Sequence, residues 1–295
     1  MNEYTYPILF GGVTIGTLAR IIILKTDYRQ YPTYLHGKII HIALGFIAAS
    51  LGAVAVPAIM EKEFTAVTFL TIAASQFREV RNMERGTLTE MDGYELVPRG
   101  NTYIEGIAVA FESRNYLVIF TALFVTMAYL IWNVYFAIFV TIICFLLIKK
   151  YMSGSTLGDI VSIKEATVSF DGAGLYVDNI YIMNIGLPAR QADIMKYGMG
   201  FVLTPKNFDV RSTIANLGQR QAILHDVSIS LGVIRDSGTP ALVPLIKRDL
   251  DDGRIGVFVL PQDKDVKKAI KVISSVPVLE NAIRMPSESK AQNKE

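Results

Sequence analysis

Five apolar stretches in the first half of this 295-residue chain constrain its fold more than any other feature. A helix that crosses a bilayer needs roughly 20 mostly apolar residues. With 51% hydrophobic and only 19% charged residues, the chain is predicted to be a polytopic membrane protein with about five transmembrane helices. The predicted spans are residues 6–24, 39–60, 64–77, 117–132 and 134–148, of which 64–77 is the shortest.

Basic residues predict the orientation of these spans, because loops on the cytoplasmic side carry an excess of Lys and Arg. All three basic groups fall on one side only if the chain crosses five times. The N-terminus is then outside, and the C-terminal half is in the cytoplasm. The groups are Lys25, Arg29 and Lys38 after the first stretch; Arg78, Arg81, Arg85, Arg99 and Arg114 after the third; and Lys149 and Lys150 after the fifth.

The predicted domain organisation follows from where the apolar residues end. A transmembrane domain covers 1–150 and contains a cytoplasmic loop at 78–115. A cytoplasmic domain covers 151–285, and the polar residues 286–295 are expected to form a disordered tail. The start of the chain lacks the basic segment of a cleavable signal peptide, so the first span is expected to remain as an anchor.

Composition also limits the classes of function. A net charge of +2 is too small to indicate a nucleic-acid partner. Cys144 is the single cysteine, which excludes an intramolecular disulfide. The three histidines are too few and too scattered to indicate a metal site. No cofactor is predicted, and the adjacent His225 and Asp226 are expected to form a surface pair.

A glutamate stands inside the apolar run "YIEGIA" at Tyr103–Ala108. Apolar residues recur there at helical spacing, and Glu105 and Glu112, seven residues apart, share a different face of that helix. We expect a helix on the cytoplasmic membrane surface that continues into the fourth span. Glu105 and Glu112 either face water or bind a partner, such as the basic side chain of another protein.

This hexapeptide and the layout around it resemble the YIEGIA membrane-protein family of endospore-forming Firmicutes. The resemblance covers the whole chain, with its apolar first half, basic central loop and soluble second half. It implies a location in the cell membrane and a link to sporulation. It supplies no catalytic residues that can be transferred to this sequence.

The second half of the chain has the composition of alternating strands and helices. Residues 161–170 and 174–185 are rich in β-branched and aromatic residues and flank a glycine-containing turn, which predicts a hairpin. Residues 184–217 then align with 236–273 as an internal repeat. The expected domain is therefore an α/β domain with a strand–helix repeat and at least partly parallel strands.

Each copy of the repeat has the same predicted elements. A strand ends at Gly-x-Pro, where a helix begins, because proline suits the first turn of a helix. A short buried strand follows, and then a second helix. Asp209 and Asp265 are the predicted N-caps of these second helices, because a carboxylate accepts hydrogen bonds from the first amide groups of a helix.

The turn at Asp236 offers the clearest candidate chemistry. "GVIRDSGTPALVP" resembles the active-site turn of aspartic proteases, and the resemblance implies Asp236 as the catalytic aspartate with Ser237, Gly238 and Thr239 around it. That reaction needs two carboxylates. Because Asn184 occupies the equivalent position of the first copy, a protease of this class would have to be a homodimer. The alternative is that Asp236 caps a helix that begins near Pro240.

Two functions remain after these observations. The leading prediction is a sporulation-associated cell-membrane protein whose cytoplasmic domain binds and regulates a cytosolic or membrane protein. The alternative is a membrane-anchored dimeric aspartic protease that cleaves a cytosolic protein, since the layout also resembles the membrane-anchored sporulation protease that processes a sigma factor. A transporter ranks last, because the predicted spans contain no Asp or Glu and Arg20 has no acidic partner within them.

Overall fold

The computed structural model describes residues 5–27, 35–152, 154–236, 239–240 and 242–283 of the chain. The chain divides into two compact units. The first, here the helical unit, comprises Met1–Gly86 and Ile107–Gly154. The second, here the α+β unit, comprises Thr87–Gly106 and Ser155–Glu295. A short central segment, Thr87–Gly106, thus belongs to the same unit as the C-terminal half.

Five long helices account for the first half of the chain. They are α1 (Thr5–Asp27), α2 (Leu35–Met60), α3 (Phe64–Asp92), α4 (Asn101–Ile131) and α5 (Val134–Tyr151). Four of them contain a segment long and apolar enough to cross a membrane: Tyr6–Leu24, Gly37–Met60, Asn101–Ile131 and Val134–Tyr151. The third helix is not among these four, because its second half is rich in charged residues.

Small residues bring α1, α2 and α4 into close contact. A methyl group on Gly16 would lie 2.7 Å from Cβ of Ala49 on α2 and 3.0 Å from Cβ of Ala122 on α4. A methyl group on Gly52 would lie 2.1 Å from the backbone oxygen of Ile119. Close approach of backbones through Gly and Ala is the usual way in which helices associate where apolar burial gives little driving force.

The order of these contacts gives the helix directions. Gly12, earlier in α1, lies against Ala53, which is later in α2 than the Ala49 that contacts Gly16. Gly12 also lies against Thr126, later in α4 than Ala122. Helix α1 therefore runs antiparallel to both α2 and α4, and these two run parallel to each other.

Helices α3 and α5 complete an alternating arrangement. Phe77 on α3 lies edge-on to Tyr116 on α4, with ring centroids 6.5 Å apart, and Arg81 further along α3 reaches back to Glu112. Helix α3 is therefore antiparallel to α4. Helix α5 is parallel to α1, because successive residues of α1 cluster with successive residues of α5: Ile15 with Val140, then Ala19 and Ile23 with Ile148.

Three antiparallel sheets and five α-helices form the described part of the C-terminal half. A four-stranded sheet has the order β1-β5-β9-β8, a three-stranded sheet has the order β2-β3-β4, and β6 and β7 form a two-stranded sheet. The strands are β1 (Val161–Ala166), β2 (Val168–Asp171), β3 (Gly174–Val177), β4 (Ile180–Asn184), β5 (Met199–Pro205), β6 (Arg235–Asp236), β7 (Thr239–Pro240), β8 (Leu245–Arg248) and β9 (Ile255–Val259). The helices are α6 (Leu157–Ile160), α7 (Pro188–Tyr197), α8 (Phe208–Ala215), α9 (Leu217–Leu231) and α10 (Val266–Ser275).

The core of this unit lies on both faces of the four-stranded sheet. On one face, Val202 and Phe258 pack with residues of β3 and β4, such as Val177 and Ile182, so that the two sheets lie face to face. On the other face, helices α8, α9 and α10 contact β5, β9 and β1. Phe201 and Leu203 alternate with Val202 along β5 and are fully buried, as expected for a strand covered on both faces.

Every strand pair in the described part of the chain is antiparallel, so the prediction of partly parallel strands is wrong. Parallel neighbours need a long crossover, whereas β8 and β9 are joined by a short hairpin loop, and β5 and β9 enter the sheet from opposite ends. The predicted hairpin is confirmed where β2 pairs with β3, whereas β1, the first part of the predicted strand 161–170, pairs with β5.

The internal repeat is not confirmed as a structural unit. Both copies contain a buried strand followed by a capped helix, and Asp265 caps α10 by accepting the Lys268 amide hydrogen at 3.0 Å. Helix α8 is capped instead by Asn207, which accepts the Val210 amide hydrogen at 3.0 Å, so the prediction for Asp209 is wrong. A helix begins at Pro188 as expected, but Pro240 lies in strand β7.

Candidate functional site

An open cleft of about 580 Å³ lies in the α+β unit. Three segments line it: the loop between α3 and α4, the end of α9 with the residues that follow it, and the segment after β9. Its lining residues are Leu96, Val97, Ser228, Ile229, Gly232, Val233, Ile234 and Gln262. Five of these eight residues have apolar side chains, Ser228 contributes a hydroxyl group and Gln262 contributes an amide group.

The loop that forms one wall of the cleft is held in shape by the last residue of α3. The carboxylate of Asp92 accepts the backbone amide hydrogens of Arg99 and Gly100, each at 2.8 Å. Gly100 has a φ of +81°, a conformation that glycine adopts readily. Helix α4 begins at the next residue. The wall of the cleft thus continues directly into the helix that carries the YIEGIA motif.

His225 attaches this loop to α9. Its side chain is fully buried, and its Nδ1 lies 2.6 Å from the backbone oxygen of Val97. Because a carbonyl oxygen can only accept a hydrogen bond, Nδ1 carries a proton and donates it. Nε2 is buried without a hydrogen-bond partner among the described residues. The prediction that His225 belongs to a surface pair is therefore wrong.

Asp226 forms a second link to the same loop. Its carboxylate lies 3.8 Å from the Arg99 guanidinium, which also lies over the Tyr103 ring at 5.6 Å from the ring centre. Burial raises the pKa of Asp226, while the nearby charge of Arg99 opposes that rise. Neighbouring residues of α9 thus bind neighbouring residues of one loop, and the cleft wall has two attachments.

The first residues of the YIEGIA motif pack tightly within the α+β unit. A methyl group on Gly218 of α9 would lie 2.9 Å from the backbone nitrogen of Tyr103, and one on Gly106 would lie 2.5 Å from Nδ2 of Asn281. Tyr103 and Ile104 are almost fully buried. Gly106 therefore permits close contact with the segment near Asn281. A larger residue at this position of the motif would not fit against that segment.

Gln219 is a structural residue that no sequence motif identifies. It is fully buried next to Gly218 at the start of α9. Its Nε2 donates to the backbone oxygen of Pro277 at 3.0 Å, and its Oε1 accepts the Leu279 amide hydrogen at 2.8 Å. One side chain thus holds the chain segment that follows α10.

The two glutamates selected from the sequence have different surroundings. Glu105 is half-buried. Glu112 forms an ion pair with Arg81 at 3.0 Å and its side chain is 14% exposed, so within the helical unit it already has a basic partner from the same chain. Binding of another protein by Glu105 or Glu112 stays a prediction.

Arg20 is the largest fully buried side chain of the helical unit. A methyl group on Gly45 of α2 would lie 2.4 Å from its Cγ, so glycine at that position makes room for the arginine. The guanidinium lies over the Phe111 ring, 5.3 Å from the centre. Glu84 lies close enough for the charge of Arg20 to oppose the rise in the Glu84 pKa that burial causes. Glu84 lies beyond the predicted third span, which is why the sequence did not indicate it.

Asp236 lies in the short strand β6, where it pairs with Thr239 of β7. No helix begins at Pro240, so the prediction that Asp236 caps one there is wrong. The predicted turn residues Ser237 and Gly238 lie outside the described residues. Ile234, two residues before Asp236, lines the cleft. A catalytic role for Asp236, Ser237, Gly238 and Thr239 stays a prediction.

Comparisons with known proteins identify the family of the chain. A family model described as "YIEGIA protein" matches residues 8–289. The chain belongs to the YIEGIA family. It is 65% identical over 288 residues to a protein of Bacillus subtilis (strain 168) described as "Uncharacterized protein YphB", covering 98% of this chain and 97% of that one. No solved structure matches the chain significantly.

The resemblance to the YIEGIA family that the sequence indicated is therefore confirmed. What sequence inspection of this YIEGIA protein missed is the cleft, whose walls are far apart along the chain: Val97 and His225 are separated by 128 positions. The one feature of the sequence that could have indicated the cleft is His225 in a largely apolar helix. From the sequence alone, His225 cannot be distinguished from a histidine that is simply buried in the core.

Proposed function

We propose that this YIEGIA protein crosses the cell membrane five times. Helices α2 and α4 run parallel, so the chain between them must return across the bilayer. That return is made by α3, whose apolar first half supplies a short span at residues 64–77. Four helices meet the length and composition of a span by themselves, and α3 is the fifth in this proposal.

The orientation has the N-terminus outside and the α+β unit in the cytoplasm. With five crossings, the basic residues after the first, third and fifth spans all lie on the cytoplasmic side, as the distribution of Lys and Arg in membrane proteins favours. In this orientation the charged second half of α3 and the segment Thr87–Gly106 are also on the cytoplasmic side.

On this basis the α+β unit binds an apolar segment of another protein and regulates it during sporulation. The cleft is the main support. Its volume of about 580 Å³ is within the range of about 300–1,000 Å³ typical of binding sites. Apolar side chains would accept the side chains of the partner, and the amide of Gln262 and exposed backbone atoms would bind its peptide groups.

The position of the cleft also supports a regulatory role. Leu96 and Val97 belong to the loop that leads into α4, and His225 and Asp226 hold that loop to α9. A partner that enters the cleft must contact Leu96 and Val97. Binding of the partner would thereby favour one position of the start of α4. Because coupling between sites is reciprocal, a change in the position of α4 would in turn change the affinity of the cleft for the partner.

A photocrosslinking experiment tests this proposal. The photoreactive residue p-benzoylphenylalanine is placed at Ile229, which lines the cleft and is 62% exposed. Leu250, which is 83% exposed in the loop between β8 and β9, is the matched control position. We expect irradiation of sporulating cells to give a defined crosslinked protein from Ile229 and none from Leu250, and a second substitution, Val97→Asp, to abolish it. Equal products at both positions, or none at Ile229, would contradict the proposal.

A second candidate function is the dimeric aspartic protease. The observation that favours it is the antiparallel pairing of Asp236 with Thr239, close in sequence to Ile234, which lines the cleft. A peptide in the cleft would then lie near Asp236. Comparing new protein N-termini by mass spectrometry in sporulating cells with the wild-type chain or Asp236→Asn tests it. Cleavage products found only with the wild type would favour the protease.

A further inference from the structure

Helix α10 has two chemically different faces. Ala269 and Ile273 are buried against the rest of the α+β unit. Lysines occupy the opposite face, at the spacing of three and four residues that aligns side chains along a helix. They are Lys264, just before the helix, and Lys267, Lys268 and Lys271 within it, and all four are exposed.

Nearby groups only partly neutralise this row of lysines. Asp263 pairs with Lys268 at 3.0 Å, and Asp265 uses its side chain to cap the helix. Lys264 donates to the backbone oxygen of Lys196 at 3.3 Å, which leaves its charge in place. Four positive charges thus face two negative ones, and Lys267 and Lys271 extend the positive row along the helix.

The segment that follows α10 is bonded to residues next to the predicted membrane crossings. Five residues, 152–156, separate the end of α5 from α6. Thr156 pairs with Pro277, and the Leu157 amide donates to the backbone oxygen of Val276 at 2.9 Å. Asn281 packs against Gly106 at the start of α4. Within the α+β unit, the segment after α10 is therefore held to the residues that follow α5 in the chain and to the first turns of α4.

We propose that the lysine face of α10, formed by Lys264, Lys267, Lys268 and Lys271, binds the anionic headgroups of the bilayer that the chain itself crosses. The inference rests on the proposed membrane location. Each lysine near an anionic surface favours the bound state by about fivefold, and salt weakens the attraction. Binding of the lysine face would fix the orientation of the α+β unit at the membrane.

Fluorescence quenching of the full chain in lipid nanodiscs tests this inference. In a Cys144→Ser background, a single cysteine replaces Ser275, which is exposed and continues the lysine face, and carries a fluorophore. The nanodiscs contain a lipid with a nitroxide on its headgroup, and are made of phosphatidylcholine with or without phosphatidylglycerol. Leu250→Cys is the matched control. Helix α10 packs against β1, whereas Leu250 follows β8, at the opposite edge of the same sheet.

We expect phosphatidylglycerol to increase quenching at Ser275→Cys but not at Leu250→Cys, and added salt to reverse the increase. Replacing both Lys267 and Lys271 by Gln should lower the ratio of membrane-bound to free α+β unit about 25-fold, because each lysine contributes about fivefold. Quenching that is independent of lipid charge or of these two lysines would overturn the inference. So would loss of sporulation in the Gln variant without any lipid effect, which would assign the face to an acidic protein.

A third label separates this inference from the proposed membrane location. Phe139→Cys lies on α5, where the side chain is 54% exposed, and is measured with a nitroxide on the lipid acyl chain. Quenching there in both lipids, without a charge effect at Ser275→Cys, would overturn only the headgroup binding. An unquenched label at Phe139→Cys would overturn the membrane location and the headgroup binding together.

Discussion

The helical unit and the α+β unit bury different kinds of residue. The contacts at the centre of the helical unit involve Ala48, Ala49, Ala53 and Ala122 together with glycines. The centre of the α+β unit contains Phe201, Leu203 and Phe258, all fully buried. Large apolar side chains stabilise a fold when they leave water, whereas helices in lipid gain more from close packing of their backbones. The difference is what we expect of a chain with one unit in the bilayer and one in water.

The difference also concerns where a partner can bind. Close packing around Gly16 and Gly52 leaves little space between α1, α2 and α4. The α+β unit contains the cleft, one wall of which is a loop held by three side chains, Asp92, His225 and Asp226. The candidate membrane spans and the cleft thus lie in different units, and the segment Thr87–Gly106 belongs to the unit that contains the cleft.

The largest expected effect lies in the core of the α+β unit. Phe258→Ala removes a ring that packs between the two sheets and should lower the free energy of unfolding by about 3–5 kcal/mol. Phe208→Ala, at a side chain that is 42% exposed, is the control and should have a much smaller effect. Thermal unfolding of the full chain in detergent measures both. A similar loss for the two variants would contradict the role assigned to Phe258 in the core of the α+β unit.

Gln219→Leu should have the next largest effect, because it keeps the side-chain volume but removes two hydrogen bonds. The backbone oxygen of Pro277 and the amide of Leu279 would lose their partner, at a cost of about 1–3 kcal/mol for each buried group left unsatisfied. The same substitution at the exposed Gln262 of the same unit is the control. Equal unfolding temperatures for the two variants would contradict the role assigned to Gln219.

In the helical unit, added volume rather than lost volume should be harmful. Gly52→Val places a side chain against the backbone of Ile119 and should cost about 1–3 kcal/mol, as expected for overpacking. Gly11→Val is the matched control, since no atom lies within 4 Å of the added Cβ. The yield of folded protein from membranes and its unfolding temperature measure the difference. A tolerated Gly52→Val would show that α2 and α4 do not pack as described.

The smallest expected effect is the pH dependence due to Asp226. Burial raises its pKa in the folded state above the ordinary value of 3.8. Its contribution to stability is therefore present below pH 3.8 and is lost as the pH rises through the folded-state pKa. Relative to Asp226→Asn, the wild type should lose stability between these two points. Unfolding temperatures of both proteins across that range provide the measurement, and parallel pH curves would be inconsistent with a raised pKa.

Parts of the fold that depend on local sequence could be predicted, and parts that depend on distant contacts could not. Long apolar runs indicate helices by composition alone, and Asp265 as an N-cap depends on its own carboxylate. Strand direction depends on how the chain returns to the sheet, which is why partly parallel strands were predicted where all described pairs are antiparallel. The predicted repeat is not confirmed for the same reason. The sequences around Pro188 and Pro240 are similar, but Pro188 begins a helix and Pro240 lies in a strand.

The candidate site shows the same limit. Asp236 is selected from a local motif, and its pairing with Thr239 is local too. The cleft combines residues from three separate segments, and the contacts of His225 and Asp226 show that the loop before the YIEGIA motif is held against α9. Gln219 is likewise identified by its buried partners and by no property of its own.

The most direct test of the account compares two substitutions in a spore-forming strain that lacks the gene. Ile229→Asp places a charge in the apolar cleft, Asp236→Asn removes the candidate catalytic carboxylate, and Leu250→Asp is the surface control. Sporulation is measured at matched membrane levels of each protein. We predict that Ile229→Asp fails to restore sporulation while Asp236→Asn and Leu250→Asp restore it. Failure of Asp236→Asn with restoration by Ile229→Asp would contradict the binding function and favour the protease.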